Sequence, residues 1–154
     1  MTVRVEYQSW EPGFHAMLGM EKAIRRSGLE RSLIELVKVR ASQINGCAYC
    51  IDMHTKDARA AGETEQRLYA LSAWRETPFF TDRERAALAF TESVTLLTHG
   101  HVTDAVIDEA KQHFDEEELV KLLYVVVTIN AWNRLGVTAA RPVGDYQPNA
   151  ATHA

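Results

Sequence analysis

The sequence predicts an all-α domain, a compact bundle of about seven helices. Three observations carry this. Apolar residues recur at helical spacing through seven segments. Strand-like alternation is confined to residues 2–7, where Val3 and Val5 alternate with Arg4 and Glu6. Helix-start and helix-stop residues punctuate the chain at short intervals, leaving no linker and no repeat. At 154 residues, one domain over 1–154 is expected.

Residues 2–7 read as a short strand or an extended arm, and Glu11-Pro12-Gly13 as a turn. Residues 14–26 follow as a helix with Phe14, Met17, Leu18, Ala23 and Ile24 on one stripe, stopped at Ser27-Gly28. Residues 32–45 form the second helix. Leu33, Ile34, Leu36, Val37, Ala41 and Ile44 give it a broad apolar face, and Glu35 borders that face. Glu35 also stands three residues after Ser32, the spacing of a capping box. Gly46 breaks the pattern, and a third helix runs over 47–61 to the stop at Ala61-Gly62.

A shorter helix over 64–74 turns Leu68, Leu71 and Trp74 inward, and Thr77-Pro78 breaks the chain. Phe79 and Phe80 are expected to plug the core. Thr81-Asp82-Arg83-Glu84 is a capping box that starts a helix to about residue 97, with Ala87, Leu88, Phe90, Val94 and Leu97 inward. His99-Gly100-His101 ends it. Two histidines around a glycine suggest a metal pair, but no acidic or cysteine ligand adjoins them, so a solvated helix end is expected. Thr103 caps a helix to about residue 114, with Ala105, Val106 and Ala110 inward.

Asp115 and Glu118 form a second capping box, before a helix over 117–135. Its middle, LVKLLYVVVTINAW, is apolar nearly all round, so it belongs at the centre of a core or against a partner chain. A chain of this length has little room to enclose it, which predicts an oligomer. Asn130, Trp132, Asn133 and Arg134 then need buried or interfacial partners, with structural hydrogen bonding as their expected role. From Gly136 the tail, with Pro142, Gly144 and Pro148, is expected to be extended and to reach over a neighbour.

Composition narrows the function. Hydrophobic residues make up 46%, enough for a real core. The net charge of −4 argues against a nucleic-acid partner. The N-terminus has no apolar signal region, and no apolar run reaches the ~18–20 residues that span a bilayer. The two cysteines form one Cys-x-x-Cys pair, which in such a chain points to a cytoplasmic catalytic dithiol.

That pair, Cys47 and Cys50, lies in residues 35–54, ELVKVRASQINGCAYCIDMH, around which the chain is organised. At about 100° per residue, Cys47 and Cys50 fall about 60° apart and His54 about 40° beyond Cys50, on one stripe. Side chains lean toward the helix N-terminus, so His54 leans over Cys50. One turn apart, the cysteines can close a disulfide. The helix N-terminus favours a thiolate at Cys47, whereas His54 favours one at Cys50. The spacing does not decide between them. If residues 32–45 and 47–61 form a hairpin turning at Asn45-Gly46, Glu35 lies about 15 Å back and His54 about 12 Å forward. The two then meet at one level, where a carboxylate can orient an imidazole and pass protons.

The pattern Glu35, Cys47, Cys50, His54, preceded by Asn45-Gly46 and enclosing Tyr49, resembles the alkylhydroperoxidase D-like (AhpD-like) branch of the carboxymuconolactone decarboxylase superfamily. The segment INAWNRL, residues 129–135, resembles that branch too, and the likeness spans roughly residues 32–135. The resemblance implies an all-α fold and homo-oligomers, commonly trimers or hexamers. It implies that Cys50 attacks peroxide, Cys47 resolves, and Glu35 and His54 relay protons. It implies an external dithiol reductant, lipoyl or thioredoxin-like, with no bound cofactor. The decarboxylase branch lacks the cysteine pair, which disfavours lactone decarboxylation. The alternatives are a non-enzymatic redox sensor, a metal site of Cys47, Cys50, His54 and Glu35, and two plain core cysteines.

Overall fold

A computed structural model describes residues 2–148; Met1 and residues 149–154 lie outside it. The order is α1 (Glu11–Arg25), α2 (Arg31–Asn45), α3 (Ala48–Ala60), α4 (Glu65–Ala70), α5 (Asp82–Thr95), α6 (Asp104–His113) and α7 (Glu116–Ala139). Short 3-10 turns precede α1 (Tyr7–Ser9) and follow α4 (Leu71–Glu76). The described residues contain no strand. The predicted fold class stands.

The central helix is α2, which packs against α3, α5 and α7. Leu36, Val37, Val39 and Ala41 are fully buried. On one side Val37 joins Ala87, Phe90, Leu122, Val125 and Val126. On another, Leu36 and Val39 meet Ala58, Leu71, Trp74 and Leu88. Polar groups also tie α2 to α7. The Asn45 amide donates to Asn130 Oδ1 (3.0 Å) and Asn133 Oδ1 (2.8 Å), and Asn133 Nδ2 donates to Ser42 Oγ (2.9 Å). Asn130 Nδ2 donates to Thr95 Oγ1, and Arg134 donates to the Asn130 carbonyl. These are the structural hydrogen bonds expected of that polar segment; Trp132 instead packs edge-on against Tyr7 and Phe14.

Several local expectations change. Glu11-Pro12-Gly13 is the first turn of α1, where proline's missing N–H costs no hydrogen bond. The start of α2 is capped by Glu30, with no side-chain cap bond, so Ser32 and Glu35 form no capping box. The helix over 64–74 divides at a kink near Ala73. Phe80 is buried but Phe79 is not, and Leu97 lies beyond the end of α5, exposed. Ala105 is exposed while Ala110 is buried. Both α5 and α7 start with their predicted capping boxes. His99 and His101 are both exposed in the turn after α5.

The end of the chain differs most. Helix α7 continues to Ala139 and buries Gly136. The tail then turns back over its own α3. Lys56 Nζ donates to the carbonyls of Gly144 (2.9 Å) and Tyr146 (3.0 Å), and Asp52 accepts from the Gly144 N–H (3.3 Å). The N-terminal residues are an extended arm, held by the Arg4 N–H on the Ala139 carbonyl.

Candidate active site

The α2–α3 hairpin builds the site. Gly46 ends α2 in the left-handed region (φ 67°), a conformation glycine takes without strain. The chain reverses there, and Glu35 and His54 come face to face. His54 Nδ1 and Glu35 Oε2 are 2.9 Å apart, and both residues are buried. Burial alone pushes the Glu35 carboxyl up. The hydrogen bond and charge of His54, with the charges of Lys38 and Arg31, outweigh it and hold Glu35 below its ordinary value.

Cys47 caps α3, and its Sγ accepts the Cys50 N–H at 3.4 Å. The two cysteines are joined in a disulfide and are almost wholly buried. Over them lies Gly136 of α7. A Cβ there would stand 3.1 Å from Cys47 Sγ and 3.6 Å from Cys50 Sγ. Glycine thus lets the α7 backbone close directly on the sulfurs. Cys50, but not Cys47, lines a cavity of about 460 Å³ whose walls include Glu35, His54, Asp57, Tyr49 and Trp132.

Of the four predicted site residues, Glu35, Cys50 and His54 therefore line one cavity, and Cys47 is bonded to Cys50. The stripe that carries them continues to Asp57, three residues past His54, and Asp57 was readable from that spacing. Atoms of Glu35, His54 and Asp57 lie within 4.8 Å of one another. The Tyr146 hydroxyl bonds both Asp57 carboxylate oxygens, at 2.8 and 3.0 Å. Burial first, then this bond and the Asp57 charge, push the Tyr146 phenol well up, so it stays a neutral donor. No sequence signal pointed to Tyr146, which reaches the site only because the tail folds back. Tyr49 lines the cavity, and the Arg141 guanidinium stacks over both its ring and that of Tyr7. The proposed four-ligand metal set loses two donors in this state, because its sulfurs are bonded to each other. The Glu35, His54 and Asp57 cluster contains no sulfur, and each member is already engaged.

A buried disulfide at a helix start, backed by a Glu–His pair inside an all-α bundle, defines an AhpD-like dithiol protein. The sequence matches the Carboxymuconolactone decarboxylase family over residues 12–93, and the chain belongs to that family, in its AhpD-like branch. The uncharacterized protein YdfG of Bacillus subtilis (strain 168) is 46% identical over 138 residues, 89% of this chain and 94% of that protein. A protein of unknown function from Agrobacterium tumefaciens, provisionally named an antioxidant defence protein AhpD, superposes with a TM-score of 0.90 at 38% identity. That match covers 94% of this chain and all of the other. The debrominase Bmp8 shares the fold (TM-score 0.76) at 20% identity, over 84% of this chain and 70% of its own.

Proposed function

We propose that this protein is a thiol-dependent peroxidase that cycles Cys47 and Cys50 between dithiol and disulfide. The observation that supports it best is the asymmetry of the pair. Cys50 opens on a cavity shared with the Glu35–His54 pair, whereas Cys47 does not line that cavity and packs under α7.

In the reduced protein, His54 takes the Cys50 proton, and its imidazolium is stabilised by the Glu35 carboxylate. The Cys50 thiolate attacks the terminal oxygen of a hydroperoxide. The O–O bond breaks, His54 returns the proton to the departing alkoxide, and an alcohol or water leaves. Cys50 becomes a sulfenic acid. The Cys47 sulfur then attacks the Cys50 sulfur, giving the disulfide and releasing water. An external dithiol, a lipoyl group or a thioredoxin-like protein, returns two electrons and two protons.

The test is stopped-flow oxidation of the reduced protein by hydrogen peroxide and an organic hydroperoxide, with mass spectrometry of the products. Cys50→Ser should abolish the reaction. Cys47→Ser should stop at a sulfenic acid on Cys50 that a dimedone probe traps. Undiminished peroxide consumption by Cys50→Ser would sink the proposal.

A further inference from the structure

The peroxidase chemistry needs room for two oxygen atoms, yet the cavity measures about 460 Å³, many times the ~30 Å³ share of one water molecule. Helix α1 forms one wall through Phe14, Leu18, Glu21 and Arg25, one face of the helix at spacings of 4, 3 and 4 residues. Of its apolar stripe, Ile24 closes on the core, whereas Phe14 and Leu18 line the cavity, and Leu18 is 42% exposed. Ile34, Met53 and Trp132 extend the apolar lining toward Cys50. The space suits an organic body.

Its carboxylates are all engaged, but its cations are not. Three carboxylates line the cavity, and each is taken. Glu21 accepts from Lys38 Nζ at 2.6 Å, Glu35 pairs with His54 at 2.9 Å, and Asp57 accepts from Tyr146. Three cations line it too. Lys38 is used by Glu21, but among the described residues Arg25 and Arg31 have no hydrogen-bond or ion-pair partner. Arg25 suits the last turn of α1. Arg31 opens α2, where the helix dipole repels a cation; its charge favours the Glu35 carboxylate, but its guanidinium N–H groups have no acceptor among the described residues.

We propose that this cavity binds an organic acid with an apolar body, its carboxylate on Arg25 and Arg31 and its body running toward Cys50. Resting on the peroxidase assignment, the substrate class is a carboxylate-bearing organic hydroperoxide, reduced to the corresponding hydroxy acid with the oxygen and proton transfers given above. Guanidinium forks match a carboxylate in shape and charge.

Binding is measured first without chemistry, by calorimetric titration of the oxidised protein with octanoate and with 1-octanol. Octanoate should bind at least about tenfold more tightly, the effect of one charge-assisted hydrogen bond. In Arg25→Gln/Arg31→Gln the two probes should bind alike. Equal binding by the wild type, or a preference that survives in the double variant, overturns the proposal. Stopped-flow then compares a hydroperoxy acid with its methyl ester. The acid should oxidise Cys50 faster, and the double variant should lose that preference. A reductant with a carboxylate on an aliphatic arm has the same chemistry; if the double variant slows only re-reduction, the substrate assignment falls. Octanoate binding without any peroxide reaction refutes the peroxidase, not the site. Peroxide reaction without octanoate preference refutes the site alone.

Discussion

Glu35 and His54 concentrate the chemistry in one buried contact, and that contact makes the site sensitive to acid. The folded protein holds Glu35 below its ordinary value of 4.5, so the pair's contribution is fully present above that value. It is lost as pH falls through the lower folded value. Glu35→Gln keeps the side chain's size and removes its charge. We expect the variant to react with peroxide roughly 10–100-fold more slowly, because His54 loses the partner that stabilises its protonated form. We also expect it to lose about 1–2 kcal/mol at neutral pH, a deficit that shrinks in acid. Urea unfolding from neutral pH down to about pH 3 checks this, and a constant deficit would refute it. The four central residues were legible because they lie on two adjacent helices with a glycine turn between them. Periodicity within the helices and the turn fixed their meeting. Tyr146 was not legible, since its approach to Asp57 depends on where α7 stops, 89 residues away in sequence from its partner.

At the scale of helices, the readable features were those with local causes. Thr81 with Glu84 and Asp115 with Glu118 announce α5 and α7 because each satisfies its helix's own first N–H groups. The sequence misled where two local patterns compete. Ser32 and Glu35 have capping-box spacing, but Glu30 begins the helix two residues earlier and its carboxylate pairs with Arg83. Gly136 looked like a helix stop, yet it is buried inside α7 because α7 must approach the sulfurs. Its role predicts an outcome opposite to helix propensity. Replacing a helical glycine normally gains stability, by up to about 1 kcal/mol. Here an added Cβ meets Cys47 Sγ at 3.1 Å, so overpacking should dominate. Gly136→Val should lose about 2 kcal/mol in chemical denaturation, and Gly136→Ala less. A stabilised Gly136→Val would show that α7 does not press on the disulfide.

The whole molecule leaves one surface unexplained by its own fold. This chain has little room to enclose α7, as its length predicts, and it encloses only one face of it; α2, not α7, occupies the centre. Leu122, Val125, Val126 and Ile129 are fully buried on one face of α7. On the opposite face Val120, Leu123, Tyr124 and Val127 are 39–53% exposed, at spacings that form one continuous stripe. Water-facing helices of a monomer carry charge at such positions, and a contiguous apolar stripe marks an interaction surface. The occupant that fits is further copies of this chain, since the same stripe converging from each copy buries an apolar face on all of them. We expect sedimentation to give a mass that is a multiple of the 17.3 kDa chain, with a trimer or hexamer as the assemblies the fold family suggests. Tyr124→Glu with Val127→Glu places two like charges in the middle of the stripe, and burying them without partners costs several kcal/mol. The double variant should sediment as a folded monomer with unchanged helical circular dichroism. A wild-type protein that stays monomeric at high concentration would show that this stripe serves some other contact.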